Sequence, residues 1–418
     1  MNLMPMWLSR EEERILEGER GFAAQKAMEI LVALGEIFSA DRLIPVGSVQ
    51  ISGVSYKTIG KEGLEWLESL SDGKAVVPAT LNPAGMDLER WKEMGIPEGF
   101  AEGQLRIVRA FQGMGIQPLC TCTPYLLGNL PRPGEHLAWS ESSAVCFANS
   151  VLGAMTNREG GPSAIASALI GRTPRYGYHL PENRMPTLRV DAPLRLKESF
   201  EFSLLGYIIG REAKNRVPFI EGVRGHPISK DELKALSASL AASGSVALFH
   251  MEGITPEASK AKKSLKLLIS RKEFETLRIE SKDLEMAREK LSTASEDEVD
   301  LIAFGCPHAS LEEVGRIARL LKGRRLRRGV RLWVFTSLGI RRAAERCGYV
   351  APIEAAGGRV YADTCMVVAP LEEMGFQAVA VNSAKAAVYL SASNKPRVFL
   401  APTAKCISLA ISKMGSEG

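Results

Sequence analysis

The stretch Asp300-Leu-Ile-Ala-Phe-Gly-Cys-Pro-His-Ala-Ser310, followed by Leu311-Glu-Glu313, decides how the second half of the chain reads. Leu301 to Phe304 is an apolar run of strand length, too short for a buried helix. Gly305 to His308 interrupts it, and Ser310 with Glu313 three residues on is a capping box that opens a helix. The same unit recurs downstream. Arg331 to Phe335 leads through Thr336-Ser337 into a helix predicted over Leu338 to Arg346 and stopped at Gly348. Ala378 to Val381 runs into Asn382-Ser383-Ala384-Lys385, and Arg397 to Leu400 precedes the last helix. Continuous apolar strands alternating with helices predict an α/β fold whose parallel sheets are covered on both faces. Ligands bind outside the carboxyl ends of such strands, which is where Cys306 and Lys385 fall.

The first half is less regular. A capping box, Ser9-Arg-Glu-Glu12, opens a helix expected to run from about Arg10 to Phe38. A strand over Arg42 to Val46 precedes a Gly/Ser turn from Gly47 to Ser55, and a second strand, Lys74 to Leu81, ends in Asn82-Pro83. Pro, Gly and Tyr crowd residues Arg172 to Arg189, which predicts a long exposed connection or a subdomain boundary near 172–190. The Lys/Glu-rich stretch from Ser259 to Asp300 reads as surface helices.

Composition narrows the class. The chain has 418 residues, 45% of them hydrophobic and 24% charged, which suits a globular protein of two or three packed units. No apolar run reaches membrane-spanning length, and the start lacks the apolar core of a signal peptide, so a cytoplasmic protein with reduced thiols and no membrane partner is expected. A net charge of +5 fits an anionic small-molecule substrate but is too mild to argue for nucleic acid. The basic run Lys322 to Arg331 closes a helix, where cations complement the dipole, and reads as solvated surface. Neither G-x-G-x-x-G nor a P-loop occurs in context, which disfavours a nucleotide enzyme.

Seven cysteines carry the chemistry: Cys120, Cys122, Cys146, Cys306, Cys347, Cys365 and Cys406. None has the C-x-x-C spacing of a zinc ribbon or redox dithiol. Cys146, Cys347 and Cys406 lie in helical sequence and read as structural, buried thiols. Cys122, Cys306 and Cys365 each sit beside Pro or Thr at a strand end or loop. Three thiolates gathered from such loops could hold a 4Fe–4S cluster and leave one iron without a protein ligand. A non-catalytic iron–sulfur scaffold or redox sensor would also use them.

Several segments together resemble the signature blocks of the aconitase X family. They are Cys122-Thr-Pro-Tyr125, Gly134-Glu-His-Leu-Ala-Trp-Ser-Glu-Ser-Ser143, Ala148-Asn-Ser-Val-Leu-Gly153, Thr156-Asn-Arg-Glu-Gly-Gly-Pro-Ser163, Gly305-Cys-Pro-His308, Asp363-Thr-Cys-Met366 and Asn382-Ser-Ala-Lys385. The resemblance implies aconitase-like α/β layers around a 4Fe–4S cluster held by Cys122, Cys306 and Cys365, with Cys120 set aside. It implies a hydro-lyase in which an open iron serves as Lewis acid. The base is expected to be a serine of a swivel domain. The motifs fill the chain, so that domain is expected on a separate small subunit. Split forms in the family resemble dehydratases of (R)-5-phosphomevalonate, which yield trans-anhydromevalonate 5-phosphate for isoprenoid synthesis. Fused forms resemble dehydratases of cis-3-hydroxy-L-proline, the alternative.

A phosphorylated hydroxy acid needs donors for its anionic ends. Gly53-Val54-Ser55 can form a backbone anion nest, though a plain turn reads almost as well. Asn82, before Pro83, can offer an amide or merely cap a turn. Glu141 and Ser142 are read as substrate contacts. Lys385 stands at a helix start, where a cation opposes the dipole, and so calls for an anionic partner. Asn157-Arg158-Glu159 either bind substrate or brace their loop, and His136 and His308 read as structural or as proton relays. His179, His226 and His250 carry no signal.

Overall fold

The computed structural model describes residues 6–269, 275–392 and 396–411. Three units follow one another along the chain, each built on its own parallel sheet. In the first, β1 (Leu43–Pro45), β2 (Val49–Ile51), β3 (Ala79–Leu81), β4 (Gln117–Cys120), β5 (Ala138–Trp139) and β6 (Arg172–Pro174) give a parallel sheet ordered β4-β3-β2-β5 and an antiparallel pair β1-β6. In the second, β7 (Leu188–Asp191), β8 (Pro218–Glu221), β9 (His250–Met251) and β10 (Thr276–Arg278) pair in parallel as β10-β7-β8-β9. In the third, β11 (Leu301–Phe304), β12 (Arg331–Thr336), β13 (Arg359–Ala362), β14 (Ala378–Val381) and β15 (Arg397–Leu400) form a five-stranded parallel sheet ordered β13-β12-β11-β14-β15. β11 lies at its centre with all four residues buried, as its uninterrupted apolar sequence requires.

The capping boxes at Ser9 and Ser310 form as the sequence implies. Four expectations change. The first helical run is two helices, Arg10–Leu16 and Phe22–Ile37, because Gly18 and Gly21 both take φ 91° and turn the chain between them. The turn read over Gly47 to Ser55 contains β2, an inner strand of the first sheet. The segment near 172–190 is not an exposed connection: Thr173, His179 and Arg184 are buried, and Arg184 pairs with Glu257 and donates to Asn149. Cys347 is exposed, because it caps the end of the helix Leu338–Arg346 and does not lie within it. The Lys/Glu-rich stretch holds helices Ala258–Ile269 and Ser281–Leu291 with β10 between them; residues 270–274 of it lie outside the described part.

The first and third units meet at the carboxyl ends of their sheets, and this junction positions the site. After β3, Ala84 forms a parallel bridge with Thr364, and its N–H donates to Asp363 O at 2.7 Å. Asp87 is fully buried and bonds Arg341 at 2.7 Å and the Ala362 amide at 2.8 Å. Buried charges of this kind are tolerated only when paired and hydrogen-bonded. The second unit closes the third side. Its helix Lys230–Gly244 packs on helix Ser199–Ala213, and Ala384 donates its N–H to Ser203 Oγ at 3.1 Å.

The turn after β11 is constrained by a close approach. Gly305 sits at φ 97°, and a Cβ there would stand 2.0 Å from the Phe335 carbonyl oxygen. Gly305→Ala should therefore destabilise the metal-free chain by about 2–4 kcal/mol in denaturant unfolding, from left-handed strain plus the clash. A change below about 0.5 kcal/mol would mean that the turn relaxes without strain.

Candidate functional site

Five loops that leave the carboxyl ends of strands in the first and third sheets each deliver one piece of the site. β4 leads into Thr121-Cys122, β11 into Gly305-Cys306, and β13 into Asp363-Thr364-Cys365. β14 leads into Ser383, which caps the helix Ala384–Ser391 and so places Lys385 in its first turn. β5 leads into Ser140-Glu141, where Glu141 is the N-cap of helix Ser142–Phe147. The carboxyl-end rule for parallel sheets thus gathers residues more than 240 positions apart.

Cys122, Cys306 and Cys365 are all buried and lie close enough to influence one another electrostatically. Burial pushes the Cys122 thiol up to about 12 and raises Cys306 and Cys365 as well. The Lys385 ammonium is the main opposing influence on Cys122 and Cys306. Without a metal these thiols stay protonated, so metal uptake must release their protons. Among the described residues no three His, Cys, Asp or Glu side chains meet the geometry of a single-ion site. By ligand type, three thiols from separate loops suit an iron–sulfur cluster, in which each thiolate would take a different iron. A cavity of about 60 Å³ reaches Cys306 and is lined also by Lys234, Glu313, Asn382, Ser383 and Thr403.

Beside the thiols lies a buried polar network. Lys385 Nζ donates to Glu141 Oε1 at 2.5 Å and to Ser143 Oγ at 2.9 Å, and Ser143 Oγ donates in turn to Glu141 at 2.9 Å. Burial alone would raise the Glu141 carboxyl, but the Lys385 charge and the hydrogen bonds from Lys385 and Ser143 outweigh it and hold it down at about 2. Glu141 does the same for Lys385 against burial, raising its pKa well above the ordinary value. The pair is therefore ionic at neutral pH. Asn82 donates its amide to Glu141 Oε2 at 3.0 Å, and its own carbonyl oxygen accepts from Gln50 at 3.3 Å. Gln50 also accepts from the Glu141 amide at 3.0 Å and donates to Thr121 O at 3.1 Å. Gln50 and Ser143 are additions to the residues picked from sequence. Ser143 stands two residues after the N-cap, where an N-cap carboxylate finds its backbone donor, and that spacing is readable. Gln50 was hidden by the reading of its strand as a turn.

The remaining candidates divide. Val54 and Ser55 are buried in the turn after β2, and Gln104 braces it, donating to Val54 O at 3.0 Å and accepting from the Tyr56 amide at 3.0 Å. Ser55 Oγ donates to Val368 O at 3.2 Å and does not cap the following helix. The amides of Gly53, Val54 and Ser55 have no partner among the described residues. Asn82 and Ser142 are buried, and Pro83 follows Asn82 between the two sheets. Asn157 and Glu159 brace their loop: Asn157 bonds Tyr176 O and the Tyr178 amide, and Glu159 bonds Ser163 and Thr173. Arg158 points to Ser245 on the surface. His136 bonds His179 at 2.9 Å, away from the thiols.

His308 is fully buried, and burial lowers its pKa to about 4, so the ring is neutral. Nε2 lies 2.8 Å from the Thr364 carbonyl oxygen, which can only accept, so Nε2 carries the proton. Nδ1, 3.0 Å from Thr121 Oγ1, then accepts from that hydroxyl.

Comparison with known proteins agrees with this architecture. The family models for the first, second and third domains of aconitase X match residues 5–182, 186–289 and 299–412. The chain belongs to the aconitase X family. It is 53% identical to the phosphomevalonate dehydratase large subunit of Methanothermobacter thermautotrophicus, over 92% of this chain and 94% of that one. Identity to the protein of the same description from Methanocaldococcus jannaschii is 51%, covering 94% and 97%. The cis-3-hydroxy-L-proline dehydratase of Pseudomonas aeruginosa is 36% identical over 97% of this chain but only 70% of its own length. The crystal structure of Thermococcus kodakaraensis aconitase X in its holo form superposes with a TM-score of 0.88 at 43% identity, covering 97% of this chain and all of that one. Among the described residues no helix is long and apolar enough to cross a membrane.

Proposed function

We propose that the chain is the large subunit of a dehydratase that converts (R)-5-phosphomevalonate to trans-anhydromevalonate 5-phosphate, with a 4Fe–4S cluster on Cys122, Cys306 and Cys365. The observation that carries this reading is the convergence of three buried thiols and an ionic Glu141–Lys385 pair at the carboxyl ends of two facing parallel sheets. When bound, the cluster supplies a Lewis-acidic iron to a reaction whose tertiary hydroxyl is otherwise a poor leaving group.

The chain's own residues supply the rest. The unpartnered amides of Gly53, Val54 and Ser55 form the nest for the phosphate. A pocket of about 300 Å³ opens beside it, walled by Ile59, Trp66, Phe111 and Ile165, so the phosphate end enters between backbone donors and apolar surface. Lys385, at the other end of the substrate, keeps a proton on Nζ beside the thiols, where it orients the carboxylate and hydroxyl of the hydroxy acid. Glu141, Ser143 and Asn82 fix the direction of that N–H. Ser142, which starts the same helix, and Pro83, which rigidifies the Asn82 turn, shape the wall between them. The base that takes the C2 proton is a serine on a separate small subunit carrying the swivel domain. The relatives described as large subunits match this chain nearly end to end, whereas the hydroxyproline dehydratases extend well beyond it.

Titration of the cluster-loaded chain tests the substrate. 5-Phosphomevalonate should perturb its visible spectrum at concentrations that leave it unchanged with cis-3-hydroxy-L-proline, and the reverse preference would assign the chain to the hydroxyproline reaction. Gly53→Ala probes the nest, because φ 82° there strains any side chain while the added methyl meets nothing within 4 Å. Loss of a charge-assisted bond should weaken phosphomevalonate binding roughly ten- to a hundred-fold and leave mevalonate binding unchanged. Equal losses for both ligands would show that the turn does not read the phosphate.

A further inference from the structure

His308 touches all three loops that present the thiols. It lies two residues after Cys306. Its backbone N–H donates to Cys122 Sγ at 3.2 Å, its Nδ1 accepts from Thr121, the neighbour of Cys122, and its Nε2–H donates to the carbonyl of Thr364, the neighbour of Cys365. Thr121 is aligned in turn: its Oγ1 accepts from the Thr123 amide at 3.1 Å and lies 3.1 Å from the Thr123 hydroxyl. The carbonyl of His308 is held as well. Lys234 Nζ reaches it at 3.3 Å while paired with Glu313 at 2.5 Å and Asp231 at 2.9 Å. Lys234 is buried and belongs to the second unit, which presents none of the three thiols. One residue therefore joins the first unit through Thr121, the third through Thr364 and the second through Lys234.

A core histidine that only fills space would satisfy its nitrogens with whichever groups lie near. Here both ring partners sit immediately beside a thiol-bearing residue, on loops separated by more than 180 positions in one case and more than 50 in the other. The 3.2 Å contact from the His308 backbone N–H to Cys122 Sγ adds a third tie, from the loop of Cys306 directly to the Cys122 side chain. Loop spacing matters because three ligands to one cluster must match its corners together, and partners around the ligands commonly change metal affinity ten- to a hundred-fold.

We propose that His308 is a positioning residue for the cluster, setting the mutual spacing of Cys122, Cys306 and Cys365. This rests on the reading of those three thiols as the ligands. The experiment compares the anaerobically reconstituted chain with His308→Ala, His308→Gln and Thr121→Val, following the visible spectrum and the rate at which a chelator strips iron. His308→Ala should lose its cluster at least about ten-fold faster, with an altered visible spectrum and unchanged far-ultraviolet circular dichroism. His308→Gln, which can still donate to Thr364 O, should fall between. Thr121→Val removes one hydroxyl at nearly constant shape, should speed iron loss several-fold, and carries the test if His308→Ala does not fold. Combined with His308→Ala it should add nothing, since both remove the same link.

If the variants lower the melting temperature of the metal-free chain but keep the unaltered spectrum and chelation rate, His308 is an ordinary core residue and the proposal fails. Failure of the unaltered chain to take up any cluster would overturn the ligand assignment itself, and the brace with it. A normal cluster in the unaltered chain and in every variant would overturn the brace alone.

Discussion

Alanine at Cys122, Cys306 or Cys365 should leave a folded chain that takes up no stable cluster and has no measurable turnover with its partner subunit. In the proposed assignment each thiol would hold a different iron, so that losing one would leave a second iron without a protein ligand. Removing a Lewis acid forfeits several kcal/mol of transition-state stabilisation, which is a thousand-fold or more in rate. The other cysteines give the contrast. Cys347 is exposed at a helix end, and Cys406 is buried beneath β14, its Sγ donating to Ala401 O at 3.3 Å. Cys347→Ala and Cys406→Ala should keep both spectrum and rate, the second at a stability cost of about 1 kcal/mol. Iron and sulfide analysis with visible absorption decides, and a stable cluster in Cys365→Ala would remove that residue from the ligand set.

Lys385→Met should have the second largest effect, and it should show in stability as well as in rate. The substitution strands the Glu141 carboxylate in the interior, and breaking a buried pair from one side typically costs about 3–5 kcal/mol. The double variant Glu141→Gln/Lys385→Met should recover a large part of that loss, because no buried charge remains uncompensated. The pH dependence follows from the same electrostatics. In the unaltered chain Glu141 sits at about 2, below its ordinary 4.5, so the pair stabilises the fold above the ordinary value and the benefit fades only as pH falls toward the folded one. In Lys385→Met burial acts on that carboxyl against only the neutral hydrogen bonds from Ser143 and Asn82. Burial raises it, so the variant relieves its penalty by protonation as the medium is acidified. The stability gap between the two proteins should therefore narrow from pH 7 to about pH 5, in denaturant unfolding at fixed ionic strength. A gap that widens in acid would contradict the ionic assignment. Turnover should drop about a hundred-fold or more if Lys385 holds the proton beside the substrate.

How much of this was legible beforehand depends on the kind of residue. The third unit could be read almost strand by strand, because its strands are buried on both faces and appear as unbroken apolar runs. The exception is β13, Arg359–Ala362, whose Arg-Val-Tyr-Ala mixes polar and apolar positions. β2 was hidden by Gln50, a polar side chain at the centre of a three-residue strand, and by the glycines on either side. Gln50 is there for the site: its amide ties Thr121, Asn82 and Glu141 together in the dry interior. Local pattern cannot reveal such a role, since all three partners lie in loops that follow other strands. The anionic partner that Lys385 calls for could be foreseen from its place at a helix start. Its identity as Glu141, some 240 residues earlier, could not. Pairing with Glu141 holds the Lys385 charge close to the thiols, which is why the proposed reading gives the phosphate to the turn after β2. His308 shows the opposite limit. Its sequence neighbourhood suggested either a structural or a relay role, and the geometry makes it a neutral ring between loops of the first and third units.

Turnover of 5-phosphomevalonate by the anaerobically reconstituted chain, with and without the small subunit and followed by mass spectrometry of the product, is the deciding measurement. The chain alone should bind substrate and perturb its cluster spectrum yet form no product, because the base is proposed to lie on the small subunit. Addition of the small subunit should bring turnover that saturates at equal stoichiometry and disappears when iron is removed. Dehydration by the chain alone, or by the complex stripped of iron, would contradict the division of labour proposed here, as would a complex that consumes cis-3-hydroxy-L-proline and leaves 5-phosphomevalonate untouched.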